Sequence, residues 1–269
     1  MPHNEHIIDH LNKDKNLLYP NKSAYLRLVE NWQDPNPKPI IEEHDGIQVV
    51  REDYLKYGSK MRFIDYTIKN LTADEIVYAQ PRQGYAGISL CAVAKRYHKR
   101  VSLFIPLAKE LSEHQERCRD LGAELHAKKI YGMSGLRKHA RDHAIMYNAH
   151  YIEMGFKNDP YVTASIVKVA SQIPEPKEVW TVLSTGVLHR ALQIAWPNAV
   201  FHGVAVARNM KRGEVGHGNV YSHPYPFLKA EKDEELPPFA SAKAYDAKAW
   251  RYIKQHASKG ALFWNVAGD

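Results

Sequence analysis

From residue 75 onward, short β-branched or apolar runs alternate with longer segments of helical spacing, and that alternation is the tightest constraint on what this chain can fold into. The strand runs are Glu75–Ala79, Arg100–Ile105, Ala123–Lys128, Tyr151-Ile152-Glu153-Met154, Val179–Leu183 and Val200–Ala207. Between them, helices are expected over 88–97, 107–121, 134–148, 161–173 and up to about 195. Strands joined through a helix pair in parallel and are buried on both faces, so the chain is α/β, with ligands at the carboxyl ends of its strands. A short strand at Ile47–Arg51, a long loop over 208–241, a helix over 246–257 and a last strand at Ala261–Val266 complete the pattern. At 269 residues the chain suits one large domain or two interwound lobes.

Other features narrow the function classes. No apolar run reaches the length of a membrane helix, and Met1-Pro2-His3-Asn4-Glu5 lacks the pattern of a signal peptide, so a cytoplasmic protein without membrane association is expected. Cys91 and Cys118 are not in C-x-x-C spacing and read as reduced, structural thiols. His139 and His143 share a helix face, but no Glu follows His139, and no metal site is expected. The net charge of +7 favours anionic partners, whether a phosphorylated cofactor, a carboxylate substrate or nucleic acid.

Residues 1–45 are polar and interrupted by Asp34-Pro35-Asn36-Pro37-Lys38-Pro39, where proline forbids helix, and read as an extended N-terminal arm. The next feature is Gly58-Ser59-Lys60. Met61, Ile64 and Ile68 fall on helical spacing behind it, Ser59 is placed to cap that helix, and Lys60 enters its first turn. A cation is disfavoured there by the helix dipole, unless the amine is neutral or covalently engaged. Two strands then run into small-residue turns, at Gln80–Gly87 and at Ser184-Thr185-Gly186, each followed by a helix whose first amides make an anion site.

In this order the motifs resemble fold type II pyridoxal-phosphate enzymes, the tryptophan-synthase-β superfamily, nearest the aminocyclopropane-carboxylate deaminase and D-cysteine desulfhydrase branch. Val50-Arg51-Glu52-Asp53-Tyr54 through Gly58-Ser59-Lys60-Met61-Arg62 resembles the branch's K-R-E-D-L … G-G-N/S-K-x-R, whose lysine holds the cofactor. Gly84-Tyr85-Ala86-Gly87-Ile88-Ser89-Leu90 resembles the G-N-T-G-I-A-L loop that grips the substrate carboxylate. Ser184-Thr185-Gly186 stands where the phosphate loop lies, and Leu262–Gly268 resembles the closing V-L-F-x-H-T-G-G.

The resemblance implies a two-lobed α/β fold with parallel sheets flanked by helices, the smaller lobe (71–148) inserted in the larger cofactor-binding lobe (46–70 and 149–269). It implies pyridoxal 5'-phosphate as cofactor, Lys60 as catalytic residue and Schiff-base anchor, and a homodimer. Cofactor contacts carry over to Lys60, Tyr85, Ser184, Thr185, Gly186, Val187, Leu188 and Ala267, and substrate contacts to Ser59, Gln83, Gly84, Tyr85 and Ala86. The chain departs from the pattern in three places: Tyr85 replaces an asparagine, the phosphate loop keeps one glycine, and Ala267 replaces the hydroxyl residue facing the pyridine nitrogen, which leaves Asp269 as a substitute. Three functions follow from this reading: a lyase or deaminase acting on an amino acid; an enzyme acting on an aminoacyl-modified nucleotide or nucleic-acid base; and a non-catalytic protein that keeps the fold.

Overall fold

The structure is a computed structural model that describes residues 21–130, 132–207, 210 and 212–269. Contacts divide the chain into two compact units: one runs up to Ser59 and resumes at Asn158, and the other is the continuous stretch Lys60–Lys157.

The first unit opens with helix α1 (Lys22–Leu28), followed by strands β1 (Ile41–His44) and β2 (Ile47–Arg51). The extended arm expected over 1–45 is therefore corrected where it is described, while its first 20 residues lie outside the described residues. Tyr25, Leu28, Val29 and Trp32 follow helical spacing and are buried, so the apolar face overrides the polar composition. The proline run behind it is free of helix as expected. A two-residue turn, Asp45 at φ +52° and Gly46 at φ +79°, joins β1 to β2 antiparallel. Asp-Gly is the sequence that such a left-handed hairpin turn favours.

The second unit begins with α2 (Lys60–Phe63) and α3 (Asp65–Asn70), two short helices where one continuous helix was expected, with a break at Ile64. It continues through β3 (Glu75–Ala79), α4 (Tyr85–Arg96), β4 (Arg100–Pro106), α5 (Glu113–Asp120), β5 (Glu124–Lys128), α6 (Met133–Met146) and β6 (His150–Ile152). Its sheet is wholly parallel, in the order β5-β4-β3-β6. The helix expected from 107 starts only at Glu113, because Ser112 and Gln115 form a reciprocal capping box that fixes the start.

Back in the first unit come α7 (Pro160–Ala170), β7 (Glu178–Leu183), α8 (Val187–Ala195), β8 (Val200–Ala205), α9 (Arg212–Val215), β9 (Asn219–Ser222), α10 (Trp250–His256) and β10 (Leu262–Asn265). The region 208–241, expected to be loop throughout, contains α9 and the edge strand β9. The sheet order is β1-β2-β10-β7-β8-β9, parallel except for the hairpin. Trp180, Val49 and Phe263 fill the core on one face, closed by Trp250 and Ile253 of α10. Among the described residues no helix is long and apolar enough to cross a membrane.

Candidate active site

In the first unit, the neighbouring parallel strands β2, β10 and β7 end at one edge of the sheet. The sequence-predicted residues of this unit come after those ends: Ser59 after β2, Ala267 after β10, and Ser184, Thr185 and Gly186 after β7. The Ser59 amide donates to the Val266 carbonyl oxygen at 2.8 Å, which docks the Gly-Ser-Lys turn on the end of β10. Gly58 makes the turn with φ +78°, and both Gly58 and Ser59 are buried. A side chain other than hydrogen would strain that backbone.

Behind Ser59 the motif residues of β2 form a buried polar chain. Arg51 grips Asp53 with two N–H groups at 2.9 and 2.7 Å, and Asp53 Oδ1 accepts from Asn265 Nδ2 at 2.8 Å. Asn265, fully buried, also donates to Ala240 O at 2.9 Å and accepts from Ser241 Oγ at 2.8 Å. Arg51 and Asp53, matched to the family motif, therefore support the end of β10 through this chain.

The phosphate-loop candidate is a left-handed turn at Gly186, φ +73°, leading into α8. A Cβ at Gly186 would overlap the Glu214 carbonyl oxygen, to which Arg190 also donates, so only glycine fits. Arg190 donates to Thr185 O as well, at 3.3 Å, and so spans the loop. Ser184 and Thr185 are half-buried with hydroxyls, and the first amides of α8 have no partner within their helix. This donor set, of hydroxyls and amides at a helix start, is what a phosphate monoester requires. His189 is buried against β7, its Nδ1 2.7 Å from Thr181 Oγ1, and burial pulls its pKa down to about 3.

Ala267 is buried, and its carbonyl oxygen accepts from the Ala242 amide at 2.9 Å. The Asp269 carboxylate, the suggested substitute, is exposed and accepts from the Lys243 amide at 2.7 Å.

In the second unit, Lys60 is the first residue of α2, partly buried, with its carbonyl oxygen accepting from Ile64 N at 3.0 Å. Helix α2 packs on α4. Helix α4 begins at Tyr85, three residues before its expected start, so Tyr85, Ala86 and Gly87 form its first turn. Ser89 Oγ donates back to Tyr85 O at 2.9 Å. The Tyr85 ring turns to α5, edge-on to His114 at 4.9 Å and under the Arg117 guanidinium at 5.4 Å. Gln83 Oε1 is buried and has no hydrogen-bond partner among the described residues, an acceptor left for a ligand.

Sequence reasoning missed two residues that hold this loop. Gln80, fully buried at the end of β3, donates through Nε2 to Gly84 O at 3.0 Å and accepts through Oε1 from Gly87 N at 3.1 Å. His114 Nδ1 accepts from Gly84 N at 3.1 Å. A glutamine closing an otherwise apolar buried strand, directly before Pro81, was the available signal for the first; nothing local marks the second.

Neither candidate histidine of α6 is grouped with these residues. His143 Nε2 lies 2.8 Å from Glu75 Oε1, and among the described residues no cluster of three metal-ligating side chains occurs. Cys91 and Cys118 are both free and buried.

No protein-family model matches the chain, and no curated protein matches it. Solved structures do. An ACC deaminase homologue superposes with a TM-score of 0.75 at 13% identity, covering 91% of this chain and 94% of its own. Threonine deaminase isoform 2 of Solanum lycopersicum, in its processed form, gives 0.70 at 13% identity over 92% of this chain and 89% of its own. Maize serine racemase gives 0.67 at 13% identity over 92% of each chain. The fold expected from the motifs, that of fold type II enzymes, is the fold of this chain.

Proposed function

We propose that this chain is a pyridoxal 5'-phosphate enzyme with lyase or deaminase activity on an amino-acid substrate, working through Lys60. The observation that carries the proposal is the sheet edge of the first unit, where the Gly58-Ser59 turn that delivers Lys60 docks on the end of β10, next to β7 and its Ser184–Gly186 turn. Each unit supplies one requirement of such a cofactor: the second an amine, Lys60, for its aldehyde, and the first the hydroxyl and amide donors of the Ser184–Gly186 turn for its phosphate.

Lys60 would hold the cofactor covalently, Ser184, Thr185, Gly186, Val187 and Leu188 its phosphate, and Tyr85 and Ala267 would flank it. When bound, the group supplies an electron sink for the substrate α-carbon. Lys60 Nζ, as a free amine, would take and carry the substrate α-proton. The first-turn amides around Gly84, Tyr85 and Ala86 orient the substrate carboxylate, helped by the α4 dipole. Gln83 Oε1 would accept an N–H or O–H of the substrate, and Ser59 is proposed as a further substrate contact. Ala267 would offer the cofactor no side-chain hydroxyl. As the family resemblance implies, we take the working form to be a homodimer, and we place it in the cytoplasm on the absence of a signal-peptide pattern.

Two observations favour a second reading, a protein that keeps the fold without the cofactor: Ala267 and the single-glycine phosphate turn. A visible spectrum of the protein with saturating pyridoxal phosphate separates the two. A new band that borohydride abolishes supports the enzyme, and no band at saturation refutes it. Product analysis with a panel of amino acids then separates 2-oxo acid and ammonia release from inversion at the α-carbon.

A further inference from the structure

We propose that Gln80 and His114 are positioning residues, which together clamp the Gly84–Gly87 backbone in the shape that presents its amides to an amino-acid carboxylate. The inference rests on the function proposed above for this loop. Three ties from two elements hold four consecutive residues. Gln80, at the end of β3, takes Gly84 O and Gly87 N, and His114, at the start of α5, takes Gly84 N.

The Gln80 amide is anchored before it reaches the loop, since its backbone N–H donates to Phe104 O of β4 at 2.8 Å. Its two ends carry opposite hydrogen-bonding character, so only one orientation satisfies both Gly84 O and Gly87 N. Glycine is required at both ends of the clamp. Gly84 has φ +128°, and a Cβ at Gly87 would overlap Gln80 Oε1 and stand 3.3 Å from Cys118 Sγ. His114 accepts through Nδ1, which places its proton on Nε2, and its ring simultaneously supports the Tyr85 ring. The second tie comes from an element that is already fixed to the loop, because Ser112 Oγ donates to Arg82 O and Arg82 donates to Glu110 O at 3.1 Å.

The test compares Gln80→Met, which keeps the volume and removes both ties, with Gln80→Glu, which keeps the acceptor for Gly87 N, and His114→Phe with His114→Asn. Cofactor-loaded protein is titrated with L-serine and with L-alanine while visible absorbance is followed, and backbone amide exchange is read over residues 84–88. The Met and Phe variants should load cofactor with the wild-type spectrum yet bind the amino acids about tenfold or more weaker, with partial recovery in the Glu and Asn variants. Gly87 N–H should lose its protection in Gln80→Met alone. Amino-acid affinities within about twofold of wild type in both Met and Phe variants would overturn the proposal. If wild type takes up no cofactor, the function proposed above fails instead, and the exchange data still decide: equal Gly87 exchange in wild type and Gln80→Met refutes the clamp, and faster exchange confined to 84–88 supports it.

Discussion

Asp53 and Asn265 are 212 residues apart in sequence and joined by one 2.8 Å hydrogen bond, with Arg51 closing on Asp53 from the far side. Every polar atom of the Asn265 side chain is engaged in a site that water does not reach. Replacing it removes one partner of a buried carboxylate, which keeps Arg51, and leaves Ala240 O and Ser241 Oγ without theirs, a loss worth about 1–3 kcal/mol. Asn265→Leu should therefore lower the thermal midpoint by several degrees in calorimetry. An unchanged midpoint would mean that the chain from Arg51 to Ser241 is not a stabilising unit.

Lys60→Ala should abolish the visible band that wild type gains with pyridoxal phosphate. Lys60→Arg should do the same, since a guanidinium stays protonated and cannot act as a nucleophilic amine. Both variants should keep the wild-type thermal midpoint, because Lys60 is only partly buried. A band of wild-type intensity in either variant would remove Lys60 from its proposed role.

Gly186→Ala combines a left-handed backbone with an overlap onto Glu214 O. The conformational term alone costs about 1–2 kcal/mol. The substitution should also weaken cofactor uptake more than tenfold, on the order of 1.4 kcal/mol or above, as measured by equilibrium dialysis. Uptake equal to wild type would show that the turn does not hold the phosphate.

His189 makes a prediction about acid. Free histidine takes up a proton near pH 6.5, whereas burial holds His189 down to about 3. Between those values the unfolded chain is protonated at this residue and the folded chain is not. The contribution is therefore complete above pH 6.5 and lost as pH falls towards 3, at about 1.4 kcal/mol per pH unit. Urea midpoints at pH 7.5 and pH 5 should differ less in His189→Gln than in wild type. An equal difference in both proteins would contradict the assignment.

Much of the fold was legible because its strands are fully buried and read as continuous apolar runs, as in Glu75–Ala79 and Glu178–Leu183. The strand-to-turn-to-helix order also marked where Ser59, Ser184 and Tyr85 would stand. Helix α1 escaped because its buried face is only a few residues wide and sits beside a proline run. Strand β9 escaped because an edge strand with Asn219, Val220 and Ser222 exposed has no apolar run to display. Residues whose work is side chain to backbone are the hardest to foresee. His114 meets Gly84 across 30 residues, and no periodicity encodes that meeting. Tyr85 was expected in the loop before α4 and opens that helix instead, and the direction of its ring depends on Arg117 and His114, which only the packed helix pair α4 and α5 supplies.

The pairing of β2 with β10, Gln48 opposite Leu262, also has a consequence in time. A ribosome releases the continuous stretch Lys60–Lys157 whole, with all four of its strands, while the central sheet of the first unit still waits for its last strand. Closing a loop of that length before any contact rewards it is entropically unfavourable, so the β2–β10 seam is expected to form late. The sheet edge beside Lys60 is thus assembled only after β10 has emerged, and until then the Gly58-Ser59 turn has no Val266 carbonyl to dock on.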